Sequence, residues 1–373
     1  MLIAGVLNAQ DGGIENDTNK PEAEKKLPAG KRYFYTGKDY GSEYKYNPLN
    51  LILNAGYDIY QARQDHQFLK APYRRSLNDF FGDVFIHPFE SIREYGTYNF
   101  FHDEVFPMSA DPKHTQWFPN YTLHLFGGAL EMAILEEYYS FYEIPLPRLW
   151  AGVTLMTYHF VNEVVENDSG RRYNVDPISD IWIFDIGGLV LGSFDGVKKF
   201  YSKTLNAADW SLQPTFGLPD KTLENTGHYF SIKWKFPFEA NERWHLFLYY
   251  GLNFIGGLSF KTGGGYCISG GGGARTKKVF VVDEAQGRQT ITYVYSAGLF
   301  LDRNNSLLAS LIFNTNFYHT MQLNVYPGFL KIGYFTPGFW INVSPRGDVM
   351  TGITFQYMPG IGYVMPHYYS EKI

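Results

Sequence analysis

The sequence has very little cysteine, little charge and no surplus of basic residues. Cys267 is the single cysteine among 373 residues, which excludes an intramolecular disulfide. Charged residues make up 18 % of the chain, against about 25 % in a typical soluble domain. The formal net charge is −5, so the basic field typical of nucleic-acid-binding proteins is missing. We therefore expect no nucleic-acid partner.

Long apolar runs and common catalytic motifs are also missing. No stretch of 18 or more uncharged apolar residues precedes the middle of the chain, which argues against a simple transmembrane-helix protein. The Gly-x-Ser-x-Gly nucleophile elbow of many esterases is absent. The glycine-rich residues 263–273 lack the lysine and the following helix of a phosphate-binding loop, and indicate a loop or a strongly bent strand. We expect no cofactor.

The first residues are typical of the end of a secretory signal peptide. Leu2 to Leu7 form a short apolar stretch, and Ala9-Gln10 could precede a cleavage point. Residues 11–32 are polar and charged, which predicts a disordered leader. We expect residues 1–32 to be a signal remnant and leader, with a frayed cytoplasmic start as the alternative.

The C-terminal part, residues 204–373, alternates apolar and polar residues with the period of a β-strand. In "MQLNVY" (321–326) the polar positions are Gln322 and Asn324, and they are uncharged. In "QTITYVYSAGLFL" (289–301) they include Thr290 and Ser296. The charged side chains between residues 289 and 358 are Asp302, Arg303, Lys331, Arg346 and Asp348, of which four fall in predicted turns.

A sheet with one apolar face and one uncharged polar face suits a barrel in lipid. Lipid cannot satisfy free backbone groups, so such a sheet must close on itself. The pattern predicts an outer-membrane antiparallel β-barrel of about 8–12 strands, each of about 9–12 residues. Aromatic residues, 18 % of the chain, would form its interfacial girdles. A soluble lipocalin-like barrel or sandwich is the alternative, since its strands alternate too.

Residues 33–119 are predicted to be the N-terminal, mostly irregular part of this barrel domain. One strand is predicted at 47–60, "NPLNLILNAGYDIY", where Leu49, Leu51 and Leu53 alternate with polar residues.

Residues 120–203 carry helical spacing and predict a helical insertion or plug. The first helix covers residues 120–143, and prolines follow it. The second covers 148–166, and a third is predicted over 176–203, where Pro177 stands near the start.

Ionisable side chains recur on these apolar helices. His124 and Glu131 are seven residues apart, and His159 and Glu163 are four apart and share a helical face. Buried groups of this kind must be paired or coordinated. They are either structural partners of one another or a catalytic or metal site, with His124, Glu131 and His159 as candidate ligands. The candidate catalytic residues are His124, Glu131, His159, Glu163, Asp180 and Asp185.

Two motifs resemble a family of uncharacterised bacterial outer-membrane proteins. The first is "DVFIHPFESIREY" at 83–95, where His87-Pro88 fits the family's Asn-x-x-x-His-Pro element and Asp83 replaces the asparagine. The second is "DPISDIWIFDIGGLVLG" at 176–192, which fits a Ser-x-x-Asp…Gly-Gly…Gly element in part; the fitting residues are Asp180, Gly187, Gly188 and Gly192. The resemblance covers about residues 80–200. It implies an outer-membrane location in a Gram-negative cell and no established activity.

The sequence thus predicts an outer-membrane protein with lipid as its partner. A non-enzymatic role as a channel, structural component or interaction component is favoured. The alternative is a membrane-embedded hydrolase or acyltransferase that acts on lipid through the helical histidines and carboxylates.

Overall fold

In the computed structural model, a layer of helices precedes a thirteen-stranded sheet that is antiparallel except for one pair. The structure describes residues 32–63, 66–107, 117–166, 174–236, 243–283, 288–365 and 368–369. The signal remnant and leader predicted for residues 1–32 therefore lie, up to residue 31, outside the described residues.

Helices occupy most of the described chain before residue 205. The α-helices are α1 Gly41–Lys45, α2 Pro48–Gly56, α3 Tyr73–Phe81, α4 Pro88–Tyr95, α5 Thr97–Asn99, α6 Gly128–Phe141, α7 Pro147–Glu166, α8 Asp176–Ser179, α9 Ile186–Gly192 and α10 Asp195–Lys199. The 3₁₀ turns are Asp58–Ala62 and Phe68–Lys70, and the π-helical segments are Gly82–Ile86, Phe100–Val105, Phe118–Gly127, Asp180–Asp185 and Phe200–Thr204.

Three short strands precede a meander of ten. The strands are β1 Ala208–Asp209, β2 Thr215–Leu218, β3 Thr222–Glu224, β4 Phe230–Lys235, β5 Trp244–Tyr250, β6 Asn253–Lys261, β7 Tyr266–Asp283, β8 Arg288–Arg303, β9 Ser306–Asn314, β10 Met321–Val325, β11 Gly338–Val343, β12 Val349–Thr354 and β13 Gly360–Val364. β4 to β13 pair in chain order, with β1 beyond β4 and with β2 and then β3 beyond β13. The ladder of hydrogen bonds is open, ending at β1 and β3.

The sheet is strongly curled, because side chains from distant strands meet on its concave face. Lys233 of β4 donates to Asp302 of β8 at 2.7 Å. Arg275 of β7 donates to Gln322 of β10 at 2.6 Å. Gln213, which precedes β2, is fully buried and contacts Asn324 of β10. The curl therefore wraps around the chain segment just before β2.

Large apolar side chains cover the convex face. One continuous row of paired residues crosses eleven strands, and its members are Trp234, Leu246, Leu258, Gly270, Leu299, Leu311, Leu323, Ile341, Thr351, Tyr363 and Leu218. We call this set the outer row. Leu299 is 58 % exposed and Trp234 is 47 % exposed. The predicted apolar face thus points away from the concave side.

Uncharged polar residues face the concave side, as the alternation predicts. Ser310 and Asn314 of β9 are 2 % and 4 % exposed, and Gln322 and Asn324 of β10 are 3 % and 1 % exposed. Phe313, between the two β9 residues, is 46 % exposed. The assignment of faces in β9 and β10 is therefore confirmed.

The helices α6 and α7 pack beside the curled sheet, against its convex face. Phe230 and Tyr250 join the core of α6 and α7, and Ile232 and Leu248 pack against it. Their strand neighbour Lys233 points to the concave side, where it meets Asp302. The helical segment is thus an outer layer over β4 and β5, and the alternative of a plug is wrong.

The strand predicted at residues 47–60 is wrong, since this segment is helical. Asn47 caps α2, accepting the N–H of Asn50 at 3.0 Å, and Pro48 occupies the first turn. Asn54 is buried and binds backbone of the sheet region, donating to the Leu212 carbonyl at 2.8 Å and accepting from Gly227 at 3.1 Å. The helix-starting residues Asn47 and Pro48 therefore outweigh the alternating apolar pattern that predicted a strand. In the described part of residues 33–119 there are helices and no strand.

Three further expectations about the sheet need correction. The sheet has thirteen strands instead of the expected 8–12 or so. Three of them have only two to four residues, which is too short for an alternating pattern to be recognised in the sequence. Several strands of the meander have only five to seven residues, such as β5 and β10. Asp302 does not lie in a turn: it is buried at the end of β8, paired with Lys233. The glycine-rich residues 266–273 belong to β7.

Candidate functional site

Two histidines and one aspartate form the centre of a buried cluster in the helical layer. Asp185 Oδ1 lies 2.8 Å from His124 Nδ1 and 3.0 Å from His159 Nδ1. The two imidazole rings stack, with centroids 5.1 Å apart. All three residues are buried. Asp185 therefore fixes the orientation of both imidazoles.

π-helical backbone brings Asp180 and Asp185 to the same histidine. The two aspartates are five residues apart, which on an α-helix places them on different faces. A π-turn closes between residues five apart, and Asp180–Asp185 is such a segment. His124 lies on the π-helical Phe118–Gly127. Its Nε2 is 3.8 Å from Asp180 Oδ2, and its Nδ1 contacts Asp185.

Further carboxyl groups surround His124. Glu163 and Asp180 are buried, and one ligand atom from each lies within 4.8 Å of one on His124. Burial, and then neighbouring carboxylates, hold the pKa values of Glu163 and Asp180 well above their usual range. The pKa of Glu166 is raised for the same reasons. The raised pKa values mean that it is unfavourable for Glu163, Glu166 and Asp180 all to be charged at the same time.

His124 carries the positive charge of the cluster. Burial opposes its protonation, but Asp180 and Asp185 outweigh it and raise the pKa of His124 to about 10. Asp185 has a lowered pKa, because His159 and His124 overcome the cost of burying its charge. Burial lowers the pKa of His159. The two stacked imidazoles therefore differ, since the pKa of His124 is raised and the pKa of His159 is lowered.

A second cluster, built around Glu131, lies between α6 and the start of the sheet. His228 Nε2 is 3.3 Å from Glu131 Oε1, and Tyr46 donates its hydroxyl to Glu131 Oε2 at 2.6 Å. Asp209 of β1 lies 3.9 Å from His228 Nε2 and shares a hydrogen bond with Glu131. Burial raises the pKa of Glu131 to about 7. With this raised pKa, the Glu131 carboxyl gains or loses its proton near neutral pH.

A cavity of about 90 Å³ lies beside the first cluster and reaches His228 of the second. Its apolar lining comes from α2, the 3₁₀ turn Asp58–Ala62, the π-helical Phe118–Gly127 and the turn between β5 and β6. The polar residues of the lining are Asp58, Asn120, His124, Tyr158, His159, Asn162, Glu166, Asp176, Asp180 and His228. The cavity has room for a few water molecules or one small ligand.

The structure brings most, but not all, of the predicted site residues together. His124, His159, Glu163, Asp180 and Asp185 converge in the first cluster. Glu131 belongs to the second, so the structure does not bring the predicted ligand set of His124, Glu131 and His159 together. The reason is that the change from π- to α-helix after Gly127 breaks the seven-residue spacing of His124 and Glu131.

Sequence reasoning missed the residues that arrive from other elements. Asp209 and His228 come from the sheet region and Tyr46 from the N-terminal helices, so no local spacing connects them to α6. Glu166 and Asp176 could have been predicted from the sequence. Glu166 is three residues from Glu163 and Asp176 is four residues from Asp180, so each shares a helical face with a predicted site residue.

The glycines of the second motif allow close helix packing at the site. A Cβ atom on Gly188 would lie 2.8 Å from the His124 carbonyl, and one on Gly192 would lie 2.3 Å from the Ala129 carbonyl. On Gly187 it would meet Leu125 at 2.8 Å. These contacts hold the Asp185 segment against the His124 segment. His87 is exposed and Pro88 begins α4, so the His-Pro pair is not part of the cluster. The same motif contacts the Asp185 segment elsewhere, since the Val84 carbonyl accepts from Trp182 Nε1 at 3.0 Å.

We expect Gly192→Ala to destabilise the fold by about 1–3 kcal/mol, because it drives a methyl group into the backbone of α6. Gly196→Ala is the matched control, since its Cβ meets nothing within 4 Å. Alanine is favoured over glycine in helices by up to about 1 kcal/mol, so the control should stabilise slightly. Denaturant unfolding of both variants measures the difference. Equal effects would contradict the close packing.

The chain matches no protein-family model, no curated protein and no solved structure. The resemblance of residues 80–200 to an outer-membrane family therefore stays a prediction.

Among the described residues, no single helix is long and apolar enough to cross a membrane. Asp176–Gly192 and Asp195–Thr204 meet the length and composition test as a pair, but they are bent by 79° at the break between them.

Proposed function

We propose that this chain is an outer-membrane protein whose sheet closes into a barrel, with a structural or interaction role. The outer row carries this proposal. It places large apolar side chains on the convex face from β4 to β2, with Leu258 46 % and Tyr363 52 % exposed. Exposed apolar patches of this extent are rare on soluble monomers, and lipid is the environment that suits them.

Closure is supported by the segment just before β2. Leu212 donates its N–H to the Gly227 carbonyl at 2.9 Å, and the Pro214 carbonyl accepts from Gly360 at 2.8 Å. Gly227 leads into β4 and Gly360 begins β13, so one short segment binds both ends of the ten-stranded meander. A barrel closed in this way leaves few backbone groups unpaired in lipid.

A structural or interaction role fits the filled concave side better than a channel does. Trp210 packs against Phe247 and Phe300 with ring centroids 5.8 and 5.7 Å apart. Tyr229 and Tyr249 stack at 4.6 Å. These side chains occupy the space through which a solute would have to pass.

The apolar surface continues onto the helical layer. Trp150 and Val153 of α7, and Trp182 and Ile186 near the Asp185 segment, are between 37 and 49 % exposed. They widen the surface available to lipid beyond what the short strands provide.

A lipid-acting hydrolase or acyltransferase is the second candidate, and the buried acid–base clusters at the cavity favour it. No Ser, Thr or Cys is among the described residues that line the cavity. The nucleophile would therefore have to be water, activated by a lining side chain such as His159 or Glu166.

The location is tested by fractionation and by gel mobility. We expect the full-length protein in the outer-membrane fraction, where it should need detergent to stay dispersed. An unheated sample should migrate differently from a boiled one, because a closed barrel resists unfolding by the gel detergent. A monodisperse protein recovered without detergent would contradict the proposal.

A further inference from the structure

We propose that His124, Glu163 and Asp180 bind one divalent transition-metal ion, and that Asp185 positions His124 for this task. The inference concerns the helical layer and does not depend on where the protein resides.

The donor atoms of the three residues lie near one another, at separations somewhat larger than those in a metal-bound site. One ligand atom each from His124, Glu163 and Asp180 lies within 4.8 Å of the other two. His124 Nε2 and Asp180 Oδ2 are 3.8 Å apart, too far for a hydrogen bond. Two ligands at about 2.1 Å from one ion stand about 3.0–3.4 Å apart in ordinary coordination geometries. A shift of a few tenths of an ångström would therefore let both bind the same ion.

Asp185 holds Nδ1 of His124, so that Nε2 faces Asp180 and can bind the ion in place of a proton. The Asp185 carboxylate accepts the Nδ1–H of His124 at 2.8 Å. A metal-ligating histidine typically donates its other N–H to a carboxylate, which fixes the tautomer and strengthens the ligand. The same oxygen contacts His159 Nδ1 at 3.0 Å, so Asp185 holds both rings in place.

Unpartnered polar atoms in the adjoining cavity supply a second, independent observation. Asn120 is fully buried and lines the cavity, and its Oδ1 has no hydrogen-bond partner. His159 is 3 % exposed and lines the same cavity, and its Nε2 also lacks a partner. Such atoms are rare in native interiors unless water or an ion meets them. A hydrated ion bound by His124 would provide water ligands for them.

Charge points to a cation as well. Glu163 and Asp180 are buried and Glu166 is half-buried around His124, with His124 and Arg63 as the cationic side chains that act on these carboxylates. Buried carboxylates are ordinarily paired or coordinate metals. One divalent ion at His124 would replace the proton of its Nε2 and would balance Glu163 and Asp180.

The donor set selects the class of ion. One imidazole nitrogen with two carboxylates suits Mn²⁺, Fe²⁺ or Zn²⁺, whereas Ca²⁺ prefers oxygen ligands alone. We therefore expect Zn²⁺ and Mn²⁺ to bind more tightly than Ca²⁺.

The test uses the full-length protein in detergent, stripped with a chelator and then titrated with Zn²⁺ or Mn²⁺. Calorimetry and elemental analysis after dialysis should give about one ion per chain. Glu163→Gln and Asp180→Asn should each remove the ion, since a site with few protein ligands seldom survives the loss of one. Asp185→Asn should weaken binding by about 10–100-fold, the usual effect of losing an outer partner.

Glu131→Gln is the matched control, because it neutralises a buried glutamate of the second cluster. This variant should keep the ion. Circular dichroism and thermal unfolding show which variants are folded, whether or not the sheet is a membrane barrel. The proposal is overturned if the wild type takes up no ion, if Glu163→Gln and Asp180→Asn fold and bind like the wild type, or if Glu131→Gln alone loses the ion. Should both ligand variants fail to fold, the wild-type stoichiometry and the Asp185→Asn affinity decide.

Discussion

Arginine in place of Leu299 is expected to cost about 2–4 kcal/mol of folding free energy in a lipid bilayer, the range for arginine at the midplane of membrane barrels. Leu299 stands in the middle of the outer row, paired with Gly270 and Leu311, and is 58 % exposed. In water, a substitution at so exposed a position usually changes stability by less than about 0.5 kcal/mol. The size of the change in folding free energy therefore shows whether the convex face contacts lipid or water.

Leu330→Arg is the matched control for this experiment. Leu330 is 42 % exposed in the connection between β10 and β11, outside the strands, so arginine there should be nearly neutral. Denaturant titration of both variants folded into lipid vesicles gives the two free energies. A cost below about 0.5 kcal/mol at Leu299 would show that the outer row faces water.

Removing the charge of Lys233 should destabilise the sheet by about 3–5 kcal/mol, because it leaves Asp302 as an uncompensated buried charge. The two side chains are 1 % and 0 % exposed, and Lys233 Nζ lies 2.7 Å from Asp302 Oδ1. Lys233 also lies over the ring of Trp210, 5.3 Å from its centroid. Lys233→Met keeps the length of the side chain and removes the charge.

A double-mutant cycle separates this ion pair from general packing. Lys233→Met with Asp302→Asn removes both charges and keeps an acceptor for the Asn305 N–H, which Asp302 now binds at 3.1 Å. The double variant should be more stable than the sum of the single effects predicts, by a coupling of about 0.5–3 kcal/mol. Strictly additive effects would mean that β4 and β8 do not meet across the concave face.

The facing of the C-terminal strands was predictable because it depends on local alternation alone. In β9 and β10, the uncharged polar residues Ser310, Asn314, Gln322 and Asn324 all lie on one side of the alternation, and this was enough to assign the buried side. Strand lengths and strand number were not predictable, since hydrogen-bond register and brief pairings such as β1 with β4 depend on partners distant in sequence. At α2 the alternation misled, because the capping residue Asn47 and the following proline set the local structure.

The site could be predicted only in part, for reasons that lie in the backbone. His159 and Glu163 share one face of a regular α-helix, and both reach the first cluster. Asp180 and Asp185 converge because their segment is π-helical, which a period of 3.6 residues does not reveal. Glu131 joins Asp209 and His228 because the sheet region packs against α6, and only the tertiary structure supplies that contact.

Spin labelling at Leu299 tests the central claim most directly. Cys267, the single cysteine, is replaced first, and Leu299→Cys and Leu330→Cys are then labelled in protein folded into lipid vesicles. A lipid-facing outer row predicts that the label at residue 299 is relaxed by oxygen and not by a water-soluble nickel complex, with the reverse at residue 330. Strong relaxation of the label at residue 299 by the nickel complex would contradict the account.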